Sequence, residues 1–190
     1  MVVQSFAKQN YIQLVEDAVN QQIQMYQMAQ QTYLAASAYF DNAEVALPAS
    51  IISIISMDKE GFVKYFHERA EHEGKMAQHL IDYQNTRGGI CIISSVPQPL
   101  IDWKSATNAI ETCLSLEKDV NKSLLSLTTL AINNTDAHLR HILKSGHLKY
   151  KVETISNVAK GYTQIQRVGG EGLGLYMLDQ DLYKHEKFVV

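Results

Sequence analysis

Proline occurs at only three positions, 48, 97 and 99, and around these breaks apolar residues recur every three or four places over long stretches. Such spacing lines one face of an α-helix, so the chain is constrained to a few long amphipathic helices packed on one another. The first is expected over 8–41, with Ile12, Val15, Val19, Ile23, Tyr26, Tyr33 and Phe40 facing in and a glutamine-rich polar face (Gln21, Gln24, Gln27, Gln31) in solvent. The second is expected over 60–87, with a possible start at 48, and carries Phe62, Phe66, Glu73, Met76, Leu80 and Tyr83 on one line. It stops at Arg87-Gly88-Gly89, a cationic last turn followed by glycines. Residues 90–103 hold two prolines and no helical period, and read as a long connection.

A third helix is expected over 103–132, through Ala106, Ile110, Cys113, Glu117, Val120, Leu124, Leu127 and Ala131. The cluster Asn133-Asn134-Thr135-Asp136 starts a fourth, over 135–167, with Leu148, Lys151, Ile155, Val158, Tyr162 and Ile165 inside. After Gly169-Gly170 a short fifth helix is expected over 172–183. The fold class is therefore all-α: a four-helix bundle with a long crossover between helices two and three and a short fifth helix, in a single domain spanning 1–190.

Composition narrows the partners. A net charge of −3 on 190 residues gives no reason to expect nucleic acid. No apolar run approaches the length of a membrane span, and no leader-like segment stands at the N-terminus. Cys91 and Cys113 have no metal-type spacing, so a reducing, cytoplasmic setting is expected.

Three ionisable residues, Glu73, Glu117 and Lys151, stand where the period demands apolar ones, and Tyr26 is a fourth inward polar position. They come one from each long helix and can converge at one level. A buried unpaired charge costs several kcal/mol, so such residues need partners. One reading is a metal site. Helical bundles that hold two iron ions place a histidine three residues after an inward glutamate, so that both face one metal. Here Met76 takes that place after Glu73. The other reading is a structural cluster in which Lys151 pairs with both glutamates. An ammonium has no lone pair for a metal and puts positive charge where a cation would sit, which favours the second reading.

In order and spacing, a series of short segments resembles the ferritin family nearly end to end. They are Gln9-Asn10-Tyr11, Tyr39-Phe40-Asp41, Val45-Ala46-Leu47, Lys64-Tyr65-Phe66, Gln84-Asn85 and Arg87-Gly88-Gly89. Trp103, Asn108-Ala109, the run from Leu116 to Leu125, Asp136-Ala137-His138-Leu139 and Gly172-Leu173 through Tyr176 complete the series. The resemblance implies a ferritin-like bundle, assembly into hollow 24-subunit cages, and storage of iron. It also locates the ferroxidase centre of the family's heavy-type subunits. The helix-one glutamate falls on Tyr26, as in vertebrate light chains, which lack the centre. The bridging glutamate of helix two falls on Glu73 and its histidine on Met76. The helix-three glutamate falls on Glu117, the helix-four glutamine on Lys151, and a neighbouring tyrosine is kept as Tyr33. Glu73 and Glu117 remain as a weak remnant metal site, with no catalytic residue.

The family's acidic threefold pore positions align with His141 and Lys144, and its cavity-facing nucleation glutamates with His72, Lys75 and Gln78. Taken singly, each is an ordinary solvated residue. Together they imply an altered iron route. The histidines His67, His79, His147 and His185 suggest no ligand set, while Cys113 and Trp103 read as packing residues. Between Leu47 and Phe62 the family's short turn is replaced by residues 48–61, where Ile51, Ile52 and Ile55 form either a packing face or a partner patch. The expected protein is a cytoplasmic cage subunit for iron storage without its own ferroxidase activity. It would assemble as a homo- or hetero-oligomer with ferritin-type subunits, free of membrane and nucleic acid. An iron-independent structural or chaperone-like cage is the alternative.

Overall fold

The computed structural model describes residues 5–42, 45 and 60–188, so the expectations for Ala46, Leu47 and residues 48–59, including Ile51, Ile52 and Ile55, lie outside the described residues. The described residues form helices and connections, with no strand. Helices α1 (Gln13–Phe40), α2 (Gly61–Thr86) and α3 (Ala106–Asn133) are continuous. Helix four is interrupted. It runs as α4 (Ala137–Ile142), a π-helical segment (Leu143–Leu148) and α5 (Lys149–Val168). The short α6 (Gly172–His185) closes the chain. No described helix is long and apolar enough to cross a membrane.

Tyr11 meets Tyr83, and Phe40 stacks on Phe62, so α1 and α2 run antiparallel. Tyr83 also bonds Asp136, while Phe62, Phe66 and Ala106 share a core with Ile165. Helices α2 and α3 therefore run in the same direction. The 87–105 connection must return along the whole bundle, roughly 40 Å for a helix of this length. An extended chain reaches roughly 60 Å over that many residues, so the segment crosses without helix. Its backbone groups then need partners, and α1 supplies a rail of them. Glu16 Oε1 accepts from Ile90 N at 2.8 Å, Asn20 exchanges two 3.0 Å bonds with Ile90 O and Ile92 N, and Gln24 Nε2 donates to Ser95 O at 2.6 Å. The polar face expected in solvent is partly a binding strip for the crossover.

Helix one starts at Gln13, later than expected. Asn10 takes a left-handed backbone (φ 47°), and Arg87 donates to its carbonyl at 3.0 Å. Ile12 consequently precedes the helix and is exposed, while Tyr11 fills the core. Ser105 caps α3, accepting from Asn108 N at 3.2 Å, and leaves Trp103 buried ahead of the helix. Asp136 Oδ1 caps α4 by accepting from Leu139 N at 2.9 Å. The start of α2 has no cap of its own. Asp179 of α6 provides it, accepting from Phe62 N at 2.7 Å.

The inner face of helix four also differs from expectation. The buried residues are Leu139, Leu143, His147, Lys151, Thr154, Val158, Gly161 and Ile165, whereas Leu148, Ile155 and Tyr162 are only half-buried. Gly161 lies under the ring of Phe188, where a methyl group would overlap it. Two apolar cores fill the bundle. One runs from Tyr33 and Cys113 toward Phe62 and Ile165, the other from Tyr26 and Val120 toward Tyr11 and Leu139.

Candidate functional site

Between those two cores, Glu73 of α2, Glu117 of α3 and Lys151 of α5 converge with their side chains sealed from solvent. Lys151 Nζ donates to both oxygens of Glu73 at 2.7 Å and to Glu117 Oε2 at 2.6 Å. Tyr33 OH donates to Glu117 Oε1 at 2.6 Å. Each of the four carboxylate oxygens thus accepts a hydrogen bond, and the three ammonium protons have three acceptors.

Arg69, one turn before Glu73, adds a second cation. Its Nη2 lies 3.7 Å from Glu73 Oε1 and 4.0 Å from Glu117 Oε1, and donates to Thr154 Oγ1 at 3.2 Å. Two carboxylates and two cations leave the group formally neutral, the condition under which buried charge is tolerable. Arg69 escaped sequence reading because it stands off the apolar stripe. The signal was its i, i+4 spacing from Glu73.

Burial still pushes the Glu73 carboxyl above its ordinary range. Lys151 opposes that shift, Glu117 adds to it, and Arg69 opposes it. Burial raises the Tyr26 phenol far above its usual value, with Glu73 and Glu117 adding to the effect. Burial raises Tyr33 in the same way, with Glu117 again adding to it. Both phenols are therefore neutral, and Tyr26 presents no phenolate oxygen to a cation.

Met76, expected inside, is half-buried and packs against the core that holds Tyr26. His72, expected on the outward face, instead lies flat on Tyr150 of α5, ring centroids 3.5 Å apart and 12° from parallel. Burial, helped by Arg69 and Lys151, lowers its pKa to about 4. Lys75 and Gln78 are exposed on α2, as are His141 of α4 and Lys144 of the π segment. His67 pairs with Glu71 at 3.6 Å in solvent, and His185 is exposed.

His147 was the residue least visible in the sequence. It is fully buried inside the π segment. Tyr26 OH lies 2.7 Å from its Nδ1, and its Nε2 lies 2.9 Å from Nδ1 of the exposed His79. Burial first, then His79 and Lys151, lower its pKa to about 3. An uninterrupted α-helical period points Leu148 inward, so nothing in the pattern singled out the histidine beside it. The widened turn re-aims it, and π turns often mark functional positions. Ser145 and Gly146 lie in that turn, with Ser145 Oγ bonded to His141 O at 2.8 Å, a back-bond that bends helices.

Residues 16–168 match the family described as Ferritin-like domain. The chain belongs to the ferritin family. It is 36% identical over 178 residues to soma ferritin of Lymnaea stagnalis, covering 93% of this chain and 95% of that one. It is 35% identical over 182 residues to ferritin light chain of Oryctolagus cuniculus, covering 94% and 97%. With chloroplastic ferritin of Malus baccata var. xiaojinensis it shares 37% over 183 residues, covering 94% and 68%. Within this ferritin-family bundle, no three described His, Cys, Asp or Glu side chains converge on one point. The central position holds an ion cluster whose acceptors are all engaged.

Proposed function

We propose that this ferritin-family chain is a cytoplasmic cage subunit that takes part in iron storage without a ferroxidase centre of its own. Iron is its cargo. The observation that carries the reading is Lys151 Nζ between Glu73 and Glu117, bonded at 2.6–2.7 Å to three carboxylate oxygens. The other donors point the same way. A thioether at Met76 is a poor match for Fe(III), which prefers carboxylate and imidazole, and Tyr26 is held neutral. Glu73 and Glu117 do not fit a di-iron site while the ammonium bridges them, and they serve as a weak remnant at most.

Oxidation would then come from elsewhere, from ferritin-type partner subunits in a mixed cage or from solution chemistry. His141 and Lys144 are exposed where the family lines its threefold pores with acids, and rings of such residues attract cations less than rings of carboxylates. The test is oxygen consumption by the pure homopolymer after addition of Fe(II). The expected rate equals that of the protein-free buffer. Consumption at the rate of a heavy-type subunit would overturn the reading.

A further inference from the structure

His79 and His147 meet head to head. Their rings are within 8° of parallel with centroids 5.1 Å apart, and His79 Nδ1 faces His147 Nε2 across 2.9 Å. In this arrangement the two nitrogens share one hydrogen along the line joining them. Met76 stands three residues before His79 on the same face of α2, half-buried against the core that holds Tyr26. From these placements we infer that His79 and His147 form a binding site for a soft monovalent d10 cation, Cu(I) or its analogue Ag(I), with the Met76 thioether, one turn away on α2, as its third donor.

The donor set decides the class of metal. Two imidazoles and a thioether form a soft-to-borderline set that selects Cu(I) over hard, oxygen-seeking cations. Monovalent d10 ions accept two nearly collinear donors, which is the arrangement these rings already have. Metal–imidazole bonds are about 2 Å, so the nitrogens need to part by about 1 Å. His79 is at the surface and can swing, whereas His147 is fixed in the core. Charge favours a monocation as well. Lys151 acts on His147 from within the bundle, and a dication would meet stronger repulsion there.

Tyr26 completes the site from behind. With His147 Nε2 on the metal, the imidazole hydrogen moves to Nδ1, and Tyr26 turns from donor to acceptor across the same 2.7 Å. The imidazole is neutral before and after, so the hydrogen displaced from the metal-facing nitrogen stays on the ring and binding releases no net proton. A hydrogen-bonded partner on the far nitrogen is the usual support of a metal-bound histidine. This site is separate from the Glu73–Glu117–Lys151 cluster and does not depend on the iron-storage reading.

The test is anaerobic competition for Cu(I) between the assembled protein and a colorimetric chelator. The expected results are one Cu(I) per chain, loss of competition in His79→Ala, and an unchanged result in His67→Ala, which removes an exposed histidine elsewhere on α2. Met76→Leu weakens binding while leaving the fold intact, and Tyr26→Phe weakens it about tenfold. His79 is exposed but contacts the buried His147, so retained helical content and assembly of His79→Ala are measured alongside, and loss of binding in the folded variant supports the site. Equal competition by wild type and His79→Ala would overturn the assignment. So would displacement of the Cu(I) by equimolar Zn(II), or Ag(I)-soaked crystals with no metal between His79 and His147.

Discussion

Lys151 Nζ and Glu73 form a two-pronged contact, 2.7 Å to each carboxylate oxygen, at the boundary between the two apolar halves of the bundle. Neither residue is tolerable there without the other, because both side chains are sealed from solvent. Lys151→Met would leave two buried carboxylates with only Arg69 for compensation. Its expected cost is about 3 kcal/mol, read as a shift in the urea midpoint of unfolding. Replacing Glu73 and Glu117 by leucine in the same chain should return part of it, since the two uncompensated carboxylates are gone while Arg69 is left without its partners. A triple variant as unstable as the single one would contradict this.

Tyr33→Phe removes the hydrogen bond to Glu117 Oε1 and nothing else. A hydrogen bond to a charged, buried acceptor contributes about 2 kcal/mol. Denaturant titration should show a loss of that size, and a change within error of zero would mean that water replaces the phenol.

Asp179 links stability to pH. It caps α2 from 117 positions further along the chain, yet burial lifts its carboxyl above the ordinary value, with amide bonds from Gly61 and Phe62 opposing the lift. A folded-state pKa above the unfolded one means that the folded protein binds the proton more tightly. That contribution to stability is complete below the ordinary aspartate value of 3.8 and is lost as pH rises through the raised folded value. Asp179→Asn keeps the acceptor and removes the titration. Its stability relative to wild type should therefore be greater at pH 7 than at pH 3.5. Asp179→Ala, which removes the acceptor, should cost about 1 kcal/mol at neutral pH. Thermal unfolding at the two pH values reads both.

Gly161 and Phe188 should be coupled. A methyl at 161 would overlap the phenyl ring, and overpacking of this kind costs about 1–3 kcal/mol, against a helix-propensity gain of about 1 for glycine to alanine. Gly161→Ala alone is expected to destabilise. In a Phe188→Ala background the same change should stabilise, because only the propensity gain remains. Two equal shifts in unfolding midpoint would show that the ring is not held there.

Helix period made the bundle legible, since four apolar stripes separated by prolines, glycines and the Asn133–Asp136 turn allow few other solutions. It also exposed Glu73, Glu117 and Lys151, because a charge in an apolar stripe stands out against its neighbours. What it concealed has a common cause. Arg69 and His147 reach the interior from positions beside the stripe, and Thr154 and Gly161 face in although neither is apolar or large. A pattern built on apolar residues passes over such positions. The crossover had a different difficulty. An extended segment has no period, and its anchors Asn20 and Gln24 look like solvated polar residues until the backbone they hold is known.

The π segment in helix four has one further consequence. Its i to i+5 bonds spend one more residue on a turn than α-helical bonds do, so Leu143–Leu148 stores a spare residue between two rods that are each in register with the rest of the bundle. Gly146 is exposed there, with open space around it. Removing it would tighten the turn to ordinary pitch while the rods before and after kept their phase. Leu139 would still meet Tyr11's end of the core and Lys151 its two glutamates. Only the reach of His147 toward Tyr26 and His79 would change. The helix thus carries a splice point at which one side chain can be retuned without moving the frame around it.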